Sequence, residues 1–534
     1  MTDSTGQGAT LYTRQATGLV REIGMSSNLA LNISFISLPL AVLVATQAPY
    51  AFPGSNLIGI VIITALLCII PTLLYGSLSQ AMPRSGGDYV FVSRIINPVI
   101  GFVANFSVTM WFQLVIAYFG ALLAPFGLSS ALSTMGAATG NVTLTEWAGT
   151  VTGKEWQFAT GAIVLILTGA LMSLDLRRSM RVFQWIFWLS LVGVAVATLL
   201  TLVNGRDAFM AAVTKFGGDY NQMIADAKAA GFTGANPGID WSATLAATPL
   251  AFASFGYAIV TTYAGGEVRS ARTVMLKGLL WALGISAVIV LIMLALAART
   301  FGQEWLGSAT FLANEAPDKY LLPSYPFYFF FAAMLTDNAI LIAVMSIGFV
   351  LAFFAALPPT FLIATRSLFA WSFDRIIPDK VSEVNDRTHS PVWANVIVMI
   401  ISLVFLAIIV YGPGEFLTLL FTAGAAEIMT FIVVAVAAAV FPFRRREMWE
   451  ASPINQRIFG VPRITLIGVA SIVVYGIFLV PLLTNSTLGA NAPVGLWGTA
   501  FLFALPFVIY AISYFWNKSR GVDLGLAFES LPPE

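Results

Sequence analysis

The chain has 534 residues, of which 58% are hydrophobic and only 10% charged, and its mean hydropathy is +0.85. A soluble chain of this size cannot hide that much apolar surface, so the composition excludes an ordinary soluble protein and points to the bilayer. The net charge of +1 carries no signal for nucleic acid, the single Cys68 excludes a disulfide framework or a cysteine metal site, and the single His389 excludes a histidine cluster.

Residues 1–20 are polar, Gly/Ser/Thr-rich at the start and without the apolar run of a signal peptide, so a flexible cytoplasmic tail is expected there. Beyond it the apolar residues fall into twelve blocks, each long enough to cross a ~30 Å hydrocarbon core as a helix. They lie at 26–50, 55–80, 95–125, 156–174, 180–203, 241–267, 273–300, 326–371, 391–411, 415–441, 464–484 and 493–516. The expected fold class is therefore an all-α membrane protein with 12 transmembrane helices. Its parts are a first group of five over 21–203, an extracellular loop at 204–240, a second group of five over 241–441, helices 11 and 12 over 442–516, and a C-terminal tail at 517–534. The eighth block is read as one tilted helix kinked at Pro358 and Pro359. The loop at 204–240 is helical in character from Ala208 to Ala230 and is expected to cap an outer vestibule, with 301–325 as a second outer element.

Orientation follows from Lys and Arg. With the N-terminus inside, 21 of the 27 basic residues fall on the cytoplasmic side, which places both termini in the cytoplasm of a multi-pass protein of the plasma or inner membrane. No nucleophile elbow, GxxxxGK[ST] loop or HExxH is present, so no enzyme and no built-in ATP hydrolysis is read here. An ion or substrate gradient is the expected driving force.

The first and sixth blocks carry interruptions at corresponding places, five helices apart. In the first, Asn32-Ile33-Ser34-Phe35-Ile36-Ser37-Leu38-Pro39 is polar-punctuated and ends in proline; in the sixth, Pro249 is followed by Phe252-Ala253-Ser254-Phe255-Gly256-Tyr257. Breaks in membrane helices free backbone N–H and C=O groups, which the bilayer permits only where they line a cavity. The alternative is a simple kink; the pairing of the two favours a binding site.

Three separated motifs resemble the amino acid–polyamine–organocation (APC) superfamily of transporters. MPRSGGDYVFVSR, Met82 to Arg94, is similar to the family's Pro-x-Ser/Ala-Gly-Gly-x-Tyr loop; FGYAIVTTYAGGEVRSAR, Phe255 to Arg272, is similar to its sixth helix; ATRSLFAWSFDRIIPDKVSEVNDRTHSPVWAN, Ala364 to Asn395, is similar to the exit of its eighth. The resemblance implies a LeuT-like fold, a 5+5 inverted repeat plus two C-terminal helices, and transport of amino acids by alternating access. It also implies that the family's glycine-rich first-helix motif falls on Asn32 to Pro39, where Asn32 and Ser34 replace both glycines.

On this reading the substrate-binding residues are Asn32, Ile33, Ser34, Phe35, Ile36 and Ser37 from the first helix, and Phe252, Ser254, Phe255, Gly256 and Tyr257 from the sixth. Gln113 of the third follows, with Tyr118 beside it. Aromatic side chains there suit an amine, by the ring quadrupole, or simply pack in the core. Arg84, Arg94, Glu267 and Arg269 are read as a cytoplasmic gate, with Glu267, lying among Arg269 and Arg272, as an inner-gate ion pair and a proton site as the alternative. The resemblance places a sodium ion's eighth-helix ligands about ten residues before Arg366. Ala355 and Ala356 stand there without side-chain oxygen, so sodium coupling is disfavoured. The lysine that some proton-coupled relatives carry in the fifth helix is also missing. Glu427, near the bilayer midplane, is the proton-coupling candidate, the alternative being a protonated carboxyl hydrogen-bonded between helices.

The expected protein is thus a secondary transporter of amino acids, sodium-independent, with proton coupling or exchange left open. A carrier of polyamines, organic cations or other small nitrogenous metabolites is the alternative, and a transporter-like receptor or channel the rival class. Its partners are a small amino acid or amine and the lipid bilayer, with protons as candidate co-substrate. No cofactor, metal or nucleic acid is expected, and the chain is expected as a monomer or weak homo-oligomer.

Overall fold

The computed structural model describes residues 19–234, 240–412, 416–485, 493–522, 524 and 528, with backbone alone over 416–423 and at 494. The residues expected as a flexible N-terminal tail lie almost wholly outside these. Among the described residues, eleven helical stretches, the first of them Met25–Ala51, are long and apolar enough to cross a membrane.

The first block is two helices, α1 (Met25–Ile36) and α2 (Leu38–Ala51), joined at Ser37 alone. Pro39 has no N–H for the Phe35 carbonyl and its ring would strike it, so the helix stops short and restarts with proline in its first turn. Ser37 takes up the offset in the left-handed region, φ 51°. The break is narrower than the polar run suggests: Asn32 and Ser34 are helical, and the Ser37 N–H is bonded to the Ile33 carbonyl at 3.1 Å.

α3 (Leu57–Ala81) is capped by Asn56, whose side chain accepts from the Gly59 N–H at 2.8 Å. The Ser-Gly-Gly loop then turns through Gly86 (φ 115°) and Gly87 (φ 49°) into the short α4 (Asp88–Ile95). α5 (Pro98–Leu122) opens with Asn97 as cap and proline at its first position, and runs beyond the expected end near 125 through a π-helical stretch into α6 (Ser129–Thr139). α7 (Val142–Thr150) leads to α8 (Lys154–Ser173) and α9 (Leu176–Val203). The long loop folds as two helices rather than one, α10 (Arg206–Lys215) and α11 (Tyr220–Ala229).

The sixth block holds no long helix. α12 (Trp241–Ala246) and α13 (Thr248–Phe255) are followed by non-helical chain and two 3-10 turns at Val260–Tyr263 and Gly265–Glu267. α14 (Ala271–Thr300) and α15 (Gln303–Glu315) come next. The eighth block is not one helix: α16 (Tyr328–Met334) ends, and α17 (Ala339–Phe373) restarts behind Asn338, whose side chain accepts from the Ile340 N–H at 2.9 Å. The polar Thr336-Asp337-Asn338 run explains the restart, since a short side-chain acceptor competes with the helix interior and favours its cap. α17 passes through both Pro358 and Pro359, whose missing N–H groups leave the carbonyls of Phe354 and Ala355 without helical donors. α18 (Val392–Tyr411), α19 (Phe416–Arg444), α20 (Arg446–Glu450), a two-residue-per-strand hairpin of Arg457–Ile458 with Val461–Pro462, α21 (Arg463–Thr484) and α22 (Pro493–Ser519) complete the chain.

α1, α5, α13 and the turns after it form the interior, with α9 and α17 packed so closely that a Cβ on Gly193 would lie 2.7 Å from the Gly348 Cα. Close backbone approach through small residues is how membrane helices gain contact where lipid is as apolar as leucine. α22 is the opposite case: along its apolar window only 11% of residues are buried, against 83% for α5 and its continuation.

Candidate functional site

A cavity of about 430 Å³ lies between α1, α2, α5, α13, α19 and α21. α2 lines it with Leu40, Leu43, Val44, Gln47, Tyr50 and Ala51, and α5 with Trp111, Val115, Tyr118, Phe119 and Leu122. Both sets recur at three- and four-residue intervals, so one stripe of each helix faces the space. Phe35, Pro249, Leu250, Phe252, Ala253, Tyr257, Gly424, Ile428 and Leu482 supply most of the remaining wall. Among the described lining residues none is charged, and the polar atoms come from Gln47, Trp111, Tyr50, Tyr118, Tyr257 and Tyr325.

The floor is aromatic. Tyr257 stacks on Trp111 with centroids 5.0 Å apart and planes at 20°, and meets Phe35 edge-on at 5.0 Å and Phe112 at 6.0 Å. Its hydroxyl donates a hydrogen bond to Glu427, which is fully buried and whose second carboxyl oxygen has no partner. The Trp111 indole N–H is likewise buried without an acceptor. At the other end of the cavity the Tyr325 hydroxyl donates to the Gln47 side-chain oxygen at 3.1 Å, and the Tyr50 hydroxyl to Glu315 at 2.5 Å.

Of the twelve residues read from sequence as substrate-binding, Phe35, Phe252 and Tyr257 line this cavity. Asn32 does not: its amide donates to the Asn28 carbonyl and side chain at 2.8 Å each and to the Thr261 hydroxyl at 3.1 Å, which ties α1 to the turn after α13. Ile33, Ser34 and Ser37 face a separate void of about 20 Å³, bounded also by Ser190 of α9 and by Ala352 and Ala355 of α17. Ile36, Ser254 and Phe255 are buried off the cavity, and Gly256 packs on Phe252, whose ring a Cβ would meet at 2.5 Å. Gln113 is fully buried away from the cavity stripe of α5, with neither amide atom hydrogen-bonded. What the sequence did not reveal was the share taken by α2, although its stripe of Leu40, Leu43, Val44 and Gln47 was there to be read.

The opposite side of the floor is shut by ion pairs. Glu267 holds Arg366 through two bonds, 2.5 and 2.8 Å, both side chains buried. Glu267 is thus in an ion pair, but with neither of its sequence neighbours Arg269 and Arg272, because it lies in a 3-10 turn facing α17. Arg269 instead pairs with Glu22, which Arg177 also reaches at 2.8 Å. These two arginines, Arg177 first, hold the Glu22 carboxyl below the usual carboxylate range. Backbone bonds reinforce the contact: the Ile23 N–H to the Glu267 carbonyl and the Arg269 N–H to the Ile23 carbonyl, each 2.9 Å. Arg94 grips Asp374 at 2.6 and 3.0 Å, with the Tyr89 hydroxyl on the same carboxylate at 2.7 Å. Arg84 donates to the Pro83 carbonyl at 3.2 Å.

Among curated proteins no match is found. The sequence model of the amino acid permease family matches residues 23–474, which takes in the aromatic floor, the cavity apart from Leu482 and the paired end apart from Glu22. The chain therefore belongs to the amino acid permeases of the APC superfamily, a family of multi-pass membrane transporters and not of enzymes.

Proposed function

We propose that the protein moves amino acids across the cell membrane by alternating access, with the cavity of about 430 Å³ as the substrate site. The observation that supports this most directly is the asymmetry of that cavity: it reaches toward Tyr50 and Tyr325, whereas beyond Tyr257 the chain is closed by buried ion pairs. In this reading residues 241–267 are a twelfth, discontinuous crossing, the first ten crossings form two five-helix repeats, and the charge asymmetry puts the paired end in the cytoplasm. The state described is then open outward. Glu267 with Arg366, Arg94 with Asp374, and Arg269 with Glu22 act as the inner gate, with Arg84 beside them.

Phe35, Phe252 and Tyr257 contact the substrate, joined by Trp111 and the stripe of α2. Asn32, Ser34 and Gln113 serve packing instead. Glu427 carries the coupling proton, since a carboxyl bonded, among the described residues, to a tyrosine hydroxyl alone at the cavity floor can exchange its proton as access alternates. Sodium coupling is disfavoured on the α17 side, which brings only methyl groups of Ala352 and Ala355 to the small void beside the α1 break, although Ser34, Ser37 and Ser190 bring hydroxyls to it from the other sides. A second reading, an amine or organic cation as cargo, is favoured by one observation: the described lining residues offer aromatic faces, with a carboxyl nearby, and among them there is no basic side chain for a carboxylate.

Uptake of a labelled amino acid panel into proteoliposomes, in sodium-free buffer with and without an inward proton gradient, tests both. Gradient-dependent accumulation supports the amino acid reading. Absence of uptake for every amino acid, with polyamines or quaternary amines carried instead, replaces it with the second.

A further inference from the structure

The Ser-Gly-Gly loop carries a carboxyl that the reading above leaves idle. Asp88, first residue of α4, is fully buried, yet its polar neighbours are tyrosines. The Tyr263 hydroxyl donates to one of its oxygens, and the other has no hydrogen bond. Tyr75 of α3 faces the same carboxyl, and Tyr475 of α21 lies within electrostatic reach of both Asp88 and Glu427. The Tyr475 hydroxyl is buried without a partner, and the Tyr75 hydroxyl is directed at the carboxyl but falls short of hydrogen-bond geometry with it. The charged groups on the elements around it are engaged elsewhere: Arg94 of α4 with Asp374, Arg366 of α17 with Glu267, and Glu427 of α19 with Tyr257. Among the described residues no cation is paired with Asp88, which sets it apart from Glu22, Glu267 and Asp374 at the same end.

Asp88 also sits on the joint that must move. The Gly86 N–H donates to the Tyr263 carbonyl at 2.8 Å, Ser85 bridges to Ala264, and a Cβ on Gly87 would strike the Tyr263 ring. The loop and the unwound stretch after α13 are therefore one latched unit. We propose that Asp88 is a proton-binding site of the inner gate, holding a proton more tightly while that end is shut and releasing it to the cytoplasm when it opens. The proposal rests on the transport reading above.

The physical reason is linkage. In the closed end, burial pushes the Asp88 carboxyl up to about 6 from its ordinary 3.8, against the pull of Tyr263 and Tyr75 in the other direction. Opening hydrates the carboxyl and returns it toward the ordinary value: its O–H bond breaks, the proton passes to cytoplasmic water, and the carboxylate remains. A proton therefore binds the closed form about 100-fold more tightly than the open one, and shifts the gate toward closure by that differential alone.

The test needs no substrate. Hydrogen–deuterium exchange of segment 256–270 is followed in the full chain in lipid nanodiscs, wild type against Asp88→Asn at each pH, so that the chemical exchange rate cancels. Asparagine mimics the protonated carboxyl. The ratio of wild-type to variant exchange is expected to be about tenfold larger at pH 7.5 than at pH 5. Tyr263→Phe, which removes the donor to the ionised form, is expected to move that rise to higher pH, and it carries the test alone if Asp88→Asn does not fold. A ratio independent of pH, or a Tyr263→Phe profile superimposable on wild type, overturns the proposal. Because no cargo is involved, failure of amino acid uptake would overturn the transport reading by itself, and a flat exchange ratio would overturn the Asp88 site by itself.

Discussion

The two ends of the cavity are built from different chemistry. The end at Tyr50, Gln47 and Tyr325 is joined by single hydroxyl donors, Tyr325 to the Gln47 amide and Tyr50 to the Glu315 carboxylate, on partly exposed side chains, whereas the end beyond Tyr257 is joined by bidentate guanidinium–carboxylate pairs that are almost wholly buried. Single hydrogen bonds at a wet surface are worth about 1 kcal/mol between neutral groups and up to about 3 kcal/mol to a charged one, and exchange readily with water. A buried pair is costly to form and costlier to break one-sidedly. On the proposed transport cycle, the difference teaches which end is locked: opening the paired end would separate whole ion pairs into water, where each charge regains its hydration, while the other end would need only a rearrangement of single hydrogen bonds.

Four substitutions break or sharpen that contrast. The largest effect is expected at the floor that divides the ends: Glu427→Gln should abolish accumulation driven by a proton gradient while leaving substrate binding intact, measured by uptake and by equilibrium binding on one preparation. Intact driven uptake would remove Glu427 from coupling. Next, Glu267→Ala leaves Arg366 buried without its carboxylate and should destabilise the closed form by about 3–5 kcal/mol. A fall in thermal midpoint together with faster exchange in segment 256–270 would show it, and an unchanged midpoint would argue that the pair is not what holds that end.

Asp88 sharpens the comparison within the closed end. Its folded value is raised above the ordinary one, so its contribution to stability is fully present below about pH 4 and is lost as pH rises through about 6. Asp88→Asn should remove that loss and stabilise the protein by about 3 kcal/mol at pH 7.5, an order-of-magnitude figure from 1.36 kcal/mol per pH unit. Melting curves of the two proteins from pH 4.5 to 7.5 should diverge toward the alkaline side; parallel curves would place Asp88 in a more solvated setting. The smallest effect is expected for Lys215→Ala in the loop between α9 and α12. Its pairing with Asp337 is exposed on both sides and should be worth about 1 kcal/mol or less. A loss of several kcal/mol there would mean that the loop is held as tightly as the paired end.

The sixth block shows where sequence reading succeeds and stops. Its break was legible because Pro249 and Gly256 are local signals, as Pro39 is for Ser37. The direction in which each side chain points was not. Asn32 looked like a ligand group, and its amide is spent on Asn28 and Thr261; Gln113 looked polar enough for the cavity, and it faces away. Glu267 was placed with its sequence neighbours Arg269 and Arg272, but the turn it occupies presents it to Arg366, 99 residues on.

What the sequence determined by itself is whatever depends on a few consecutive residues or on summed composition: the apolar blocks, the proline breaks, the Asn caps and the basic bias of alternate loops. These follow from backbone geometry and from the cost of placing polar groups in lipid, and need no neighbour to be known. The tertiary structure alone decided which stripe of α2 and α5 faces the cavity, which carboxylate meets which arginine, and that Asp88 is left among tyrosines. Those outcomes depend on how helices far apart in the chain rotate and pack against one another, and helical periodicity fixes which residues share a face without fixing what that face meets.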